Sequence, residues 1–304
     1  MKTFQTSPKF RLLTYTALGD SWGAGFEYAP FEHIRAHNTL KQYVKNTKHN
    51  LLPGRYTDDA QMALANGEVI ISGQEITRET LGQSYFDCFK RDPREGYAAG
   101  FYGLLMEVKS AKELLERLGN AQSDKSGGAM RAVVWGIYPT IDEVKRLTTL
   151  QASITHNTAD GINAAVAAAL MGHYFLYDLG PKKDLGKFLE KHVKGPHCDW
   201  NTPWTDKVGS KGWESVHAAV TAVIKYDSLA EMLKACVNYT GDVDTVAAIA
   251  IGAASCSQEV KDDLPQVLFT DHENGEFGLD YFRDRDEKLY TKMMELRKAA
   301  GLNA

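Results

Sequence analysis

Cysteine is scarce in this chain. Four occur in 304 residues, Cys88, Cys198, Cys236 and Cys256, far apart and without a CxxC pair. That excludes a disulfide framework and a zinc knuckle, and it suits a reducing compartment. Long apolar runs are also missing. INAAVAAALMG is short and follows a polar start, whereas a membrane span needs roughly 20 apolar residues. The opening MKTFQTSPKFRLLTYTALGD has no uninterrupted apolar core of the kind a secretory signal carries. The expectation is a soluble, cytoplasmic protein with no membrane partner. Positive charge is not in excess. The formal net charge is −4, which gives no electrostatic reason to bind nucleic acid or an anionic membrane. Strand signals are few: period-2 alternation of β-branched residues is scarce, and no Asn-Gly sits between two strand-like runs. There is no sustained heptad and no fixed-period repeat.

What the chain has in quantity is helical pattern. Hydrophobic residues are 43% and charged residues 24%, an ordinary globular balance. Residues 158–177 are rich in Ala and Leu, with Thr158 placed to cap and Asp160 in the first turn. Residues 213–226 have the same character. In 228–238, Ser228 lies three residues before Glu231, a capping-box spacing. Residues 110–118 and 140–150 also read as helix. The small residues of the central helices let backbones approach closely, which favours a compact orthogonal bundle. The fold class expected is therefore all-α. The stretch 195–212 reads as the longest irregular segment, a surface loop near a site. Lys183, Lys187 and Lys191 recur at i, i+4 and read as a solvated helix face. His173, His217 and the cysteines read as core or surface. His33, His37 and His49 read as members of a polar loop without a chemical role.

Two acidic clusters stand out. Thr57, Asp58 and Asp59 precede an apolar helical series. Asp242 and Asp244 flank Val243 and are followed by Thr245, at the start of another small-residue helix. Carboxylates at helix starts can be structural, because the free N–H groups there favour anions. Two clusters of the same chemistry point further. Packed carboxylates repel and need protons or cations to coexist. Hard oxygen donors of this kind suit Mg²⁺, Mn²⁺ or Ca²⁺, not zinc. The second cluster is not an EF-hand loop, since Ala247 stands where that loop needs glycine.

Six segments, in order, resemble those of the ADP-ribosylglycohydrolase family, the group that includes dinitrogenase-reductase-activating glycohydrolase. ALGDSWGAGFEY (17–28) is similar to its GDxxGxxxE block, YTDDAQMAL (56–64) to its TDDT segment, and SGGAMRA (126–132) to its glycine-rich loop. SITHN (153–157) is similar to the S-x-x-T-H segment. Residues 212–253 resemble the long block ending in GGDxDTxAAIxGA, and 274–289 the tail of bacterial members. Three positions depart: Ala60 for Thr, Ser126 for Asn, and Thr240 for Gly.

The resemblance implies one domain over 1–304, an orthogonal helical bundle, and two divalent cations, Mg²⁺ or Mn²⁺. By position, Thr57, Asp58 and Asp59 would be ligands from one side, and Asp242, Asp244 and Thr245 from the other. Glu27, Asp58, Asp59 and Asp244 would carry the chemistry. Gly127, Gly128, His156 and Tyr97 would contact substrate. The activity implied is hydrolysis of the bond between ADP-ribose and a modified protein side chain, nucleic acid or small molecule. The alternative is an inactive ADP-ribose-binding or structural protein on the same fold.

Overall fold

The computed structural model describes residues 10–302, so residues 1–9 of the opening segment lie outside it. Fifteen α-helices are present among the described residues. They are α1 (Leu12–Ala24), α2 (Phe31–His37), α3 (Asp58–Ser72), α4 (Arg78–Arg91), α5 (Ala99–Glu107), α6 (Ala111–Leu118), α7 (Gly127–Met130) and α8 (Ile141–Ser153). Then follow α9 (Ala159–Leu176), α10 (Leu185–His192), α11 (Gly212–Lys225), α12 (Leu229–Asn238), α13 (Val243–Ala254), α14 (Val267–Thr270) and α15 (Leu279–Ala299). No strand forms among the described residues. Three isolated bridges, Lys125 with Lys211, Val208 with Gly241, and Ser228 with Lys261, are the only extended pairings there.

At the centre, α1 and α13 lie against each other, and every residue of both is buried. Glycine makes this contact possible. A Cβ at Gly19 would overlap the Ala247 carbonyl, one at Gly23 would overlap Asp244 Cα, and one at Gly252 would overlap Thr16 Oγ1. The pair therefore packs backbone to backbone, which sets Asp20 of α1 close to the first turn of α13. Helices α3, α9, α11 and α12 pack around it, and their apolar faces join one continuous core.

The C-terminal helix is tied in by a charge. Asp286 of α15 is 1% exposed. Its two carboxylate oxygens accept the Leu13 and Thr14 N–H groups at 2.8 and 2.9 Å. It thus satisfies free donors at the start of α1, which has no cap from its own flanking residue. Burial pushes this carboxyl up to about 7.

The helices expected over 110–118, 140–150, 158–177, 213–226 and 228–238 are α6, α8, α9, α11 and α12. The Thr158 and Ser228 hydroxyls accept the Gly161 and Glu231 N–H groups at 3.0 and 3.1 Å. At Ser228 the further acceptor is Asp263, which takes the Ser228 hydroxyl and the Ala230 N–H. Lys183, Lys187 and Lys191 are exposed, as a solvated face requires. Two expectations need correction. The irregular stretch 38–57 is longer than that over 195–212. His33 and His37 are helical, in α2, where their rings pack 4.7 Å apart. Their polar neighbours hid a helix whose single buried residue is Ile34. No helix among the described residues is long and apolar enough to cross a membrane.

Candidate functional site

The first acidic cluster is set by a residue outside it. Asp20, fully buried, accepts the Thr57 and Ala60 N–H groups on Oδ2 at 2.8 and 3.0 Å, and the Thr57 hydroxyl on Oδ1 at 2.7 Å. The Asp58 N–H goes to the Glu95 carbonyl at 3.1 Å. Three donors at the mouth of α3, the Thr57, Asp58 and Ala60 N–H groups, are therefore taken by Asp20 and the Glu95 carbonyl. In the second cluster Asp242, at the N-cap position of α13, makes no side-chain cap bond. No N-cap bond uses Asp242, and all four carboxylates line the cleft.

The loop before α5 completes this wall. Gly96 adopts φ +105°, and a Cβ there would overlap Asp58 Oδ1. Arg94, buried, pairs with Asp92 and Glu273 and stacks on Tyr56 at 3.6 Å. Tyr97 donates its hydroxyl to Gln61 Oε1 at 2.8 Å. On the opposite wall three segments meet. Val208 N–H binds Thr240 O at 3.0 Å, Asp242 N–H binds Val208 O at 3.2 Å, and Tyr28 N–H binds Gly241 O at 2.8 Å. Tyr28 and Thr240 have φ +48° and +64°, the second an uncommon left-handed conformation for a β-branched residue.

The cleft has a volume of about 660 Å³, and its lining includes Glu27, Asp58, Asp59, Asp242, Asp244 and Thr245. Oxygens of Glu27, Asp242 and Asp244 lie within 4.8 Å of one another. Such proximity is unfavourable for three anions. Burial, then Asp242 and Asp20, push Glu27 up to about 8. Burial and neighbouring carboxylates hold Asp58, Asp59 and Asp244 well above the usual range. Burial also raises Asp242, against hydrogen bonds that include Ser126 and Thr245. Two buried oxygens, Asp59 Oδ1 and Asp244 Oδ1, have no hydrogen-bond partner. Buried carboxylate oxygens without donors are costly. Hard divalent cations fit this donor set and would relieve it.

The cleft is also walled by Arg131, Thr155 and His156, and by the apolar and aromatic side chains of Tyr97, Phe101, Leu104 and Leu118. Arg131 donates to Thr155 Oγ1 at 2.8 Å, and Thr155 Oγ1 lies 2.7 Å from His156 Nδ1. Arginine can only donate, so the Thr155 proton is free to go to Nδ1. That assignment leaves Nε2 with the ring proton, as a donor. Burial and Arg131 keep the ring neutral, pulling it down to about 3.

The structure brings most of the sequence-derived residues together. Glu27, Asp58, Asp59, Tyr97, Gly127, His156, Asp242, Asp244 and Thr245 all line this cleft. Thr57 is 0% exposed and turned onto Asp20. Gly128 is buried behind the ring, where a Cβ would press on His156 Cβ; one at Gly127 would press on the ring's edge. Sequence reasoning missed Asp20, although it is the Asp of the GDxxGxxxE-like block over 17–28. It also gave His49 no role. The Asn46 amide donates to Ala24 O and Glu27 O, its carbonyl accepts from His49 N–H, and His49 Nε2 sits 3.7 Å from Glu27 Oε2. Only the fold reveals that proximity.

Fold and cleft define an all-helical protein built around a carboxylate-lined cleft. The pattern of the ADP-ribosylglycohydrolase family matches residues 13–266, and the chain belongs to that family. It is 27% identical to ADP-ribosylhydrolase ARH3 of Xenopus tropicalis over 197 residues, covering 60% of this chain and 54% of that one. It is 26% identical to ADP-ribosylhydrolase ARH3 of Homo sapiens over 146 residues, 46% of this chain and 40% of that one. The chain thus matches about half or less of the length of these curated relatives. A solved structure described as an "ADP-ribosylglycohydrolase-related protein complex" superposes with a TM-score of 0.73 at 20% identity, covering 94% of this chain and 98% of that one. That likeness is one of fold.

Proposed function

We propose that the chain is a metal-dependent hydrolase that cleaves the glycosidic bond between ADP-ribose and a modified target. One observation carries the reading beyond family membership: the cleft gathers five carboxylates and leaves two of their buried oxygens without a donor.

Asp58 and Asp59, with the Thr57 hydroxyl oxygen behind them, would hold divalent cations from the α3 side. Asp242, Asp244 and Thr245 would hold them from the α13 side. Bound there, Mg²⁺ or Mn²⁺ would supply Lewis acidity toward the ribose hydroxyls and the attacking water. Glu27 is the carboxyl placed to accept the water's proton, because it adjoins Asp242 and Asp244 and its side chain keeps 16% exposure to the cleft. Water oxygen bonds to the anomeric carbon, the bond to the target breaks, and the leaving atom takes a proton. His156 would donate Nε2–H to a substrate oxygen, with Gly127 leaving room for its ring. The aromatic and aliphatic wall at Tyr97, Phe101 and Leu104 suits a planar base. The location proposed is cytoplasmic, and the whole chain acts as one domain.

The test is a panel of ADP-ribosylated arginine, serine and nucleic-acid-end substrates incubated with Mg²⁺ or Mn²⁺. Released ADP-ribose from at least one linkage supports the reading. No release from any, with free ADP-ribose still bound, favours the binding protein.

A further inference from the structure

Glu27 has acids for neighbours and little to hold it. One of its carboxylate oxygens lies within 4.8 Å of oxygens of both Asp242 and Asp244, and like charges so close repel. A carboxylate that takes a proton from water must nevertheless be kept in one orientation toward that water. Among the described residues the one basic side chain within ion-pair distance of Glu27 is His49, whose Nε2 is 3.7 Å from Glu27 Oε2. Both side chains line the cleft.

A buried asparagine fixes the pair. Asn46 is 4% exposed. Its amide donates to Ala24 O at 2.7 Å and to Glu27 O at 3.1 Å, and its carbonyl accepts the Lys48 and His49 N–H groups at 2.7 and 2.8 Å. One side chain thus joins the backbone carbonyl of Glu27 to the backbone N–H of His49. The same two segments touch at Gly25, where a Cβ would overlap the Val44 carbonyl. The His49 side chain itself is 49% exposed. An exposed pair of this kind contributes little to stability, so its effect is to be sought at the Glu27 carboxylate.

We infer that His49 is a positioning residue for Glu27: its imidazole holds the carboxylate in the orientation from which it takes a proton from the attacking water. The inference rests on the hydrolase reading above and adds a residue that acts through Glu27 without touching substrate. It does not depend on the ring's charge, because a neutral imidazole with its proton on Nε2 is also a donor. At 3.7 Å the contact is longer than a hydrogen bond. Catalytic contacts in unliganded sites are often long and tighten in the substrate complex. A histidine that merely neighbours an acid would leave turnover unchanged.

Steady-state kinetics in Mg²⁺ buffer would use whichever of the arginine, serine and nucleic-acid-end linkages the wild type cleaves. His49→Ala should lower kcat about tenfold and leave KM within about twofold; His49→Gln, whose amide N–H can reach the carboxylate, should restore kcat to within about threefold. In a Glu27→Gln background, adding His49→Ala should lower the residual rate less than about twofold, because nothing is left to position. Calorimetry with free ADP-ribose should give both single His49 variants affinities within about twofold of the wild type. If His49→Ala turns over like the wild type, if His49→Gln does not recover, or if the full loss persists without Glu27, the inference is overturned and the hydrolase reading stands. A raised KM with unchanged kcat, or weakened ADP-ribose binding, also overturns it, because His49 would then be a substrate contact. A wild type that cleaves none of the three linkages overturns the hydrolase reading, and the inference with it.

Discussion

Asp58 and Asp244 show how one residue can be judged by what its backbone does not need. Asp20 and the Glu95 carbonyl take three N–H groups at the mouth of α3, and Asp244 Oδ1 has no hydrogen-bond partner, so both carboxylates are available to a ligand in the cleft. Near-isosteric Asp58→Asn and Asp244→Asn should leave the fold intact and lower the rate of ADP-ribose release roughly a hundredfold or more. Melting temperature in chelator should hold or rise, because one member of a crowded set of anions is gone. Paired assays of turnover and melting on both variants check this; a destabilised variant with normal turnover would show that the carboxylates are structural after all. Gly96 supplies an independent handle on the same oxygen. Gly96→Ala places a methyl group on Asp58 Oδ1 and forces φ +105° on an L side chain. Activity should fall at least about tenfold, and stability by about 1–2 kcal/mol. Denaturant unfolding and an activity assay read the two losses separately.

At the scale of elements, the cleft exists because α1 and α13 touch along glycines and because α15 ties down the start of α1. Asp286→Ala removes the acceptor for two helix N–H groups and should cost about 1–2 kcal/mol. Since Asp286 lines no part of the cleft, turnover below the melting temperature should stay near wild type; denaturant titration and initial rates measure both. Much of this layer was legible in the sequence. The central helices declared themselves through small apolar residues, and Thr158 and Ser228 through their spacing from the first turn. Both acidic clusters were visible as carboxylates of the same chemistry at two helix starts. Other features were not legible, for physical reasons. Asp20 caps α3 from another helix, and Asp286 caps α1 across 273 residues of chain. No local pattern encodes such partners. His49 comes beside Glu27 only where a loop closes on the cleft. Short α2 was missed because a single buried residue carries no periodicity.

At the scale of the whole molecule, a buried nest of acids should make the metal-free protein unusual in its pH response. Most paired carboxylates sit below their unfolded values and stabilise a protein as pH rises. Here Glu27 is pushed up to about 8 and Asp20 to about 6, with Asp58, Asp59 and Asp244 raised as well. Groups raised in this way contribute stability that is full below their unfolded values near 4 and is lost as pH rises through the folded ones. In chelator, the melting temperature should therefore fall between pH 5 and pH 8.5. Saturating Mn²⁺ or Mg²⁺ should recover most of that fall. A residual drop near pH 7 that divalent ions do not touch belongs to Asp286, which burial raises to about 7 far from the cluster. The central claim is that the two acidic walls face each other in order to hold divalent cations. Its most direct test is calorimetric titration of Mn²⁺ into chelator-treated protein at pH 7.5, wild type beside Asp244→Asn. The account predicts saturable binding by the wild type, with up to two ions per chain, and loss or marked weakening in the variant. Absence of saturable binding to the wild type, or equal binding by both proteins, would contradict it.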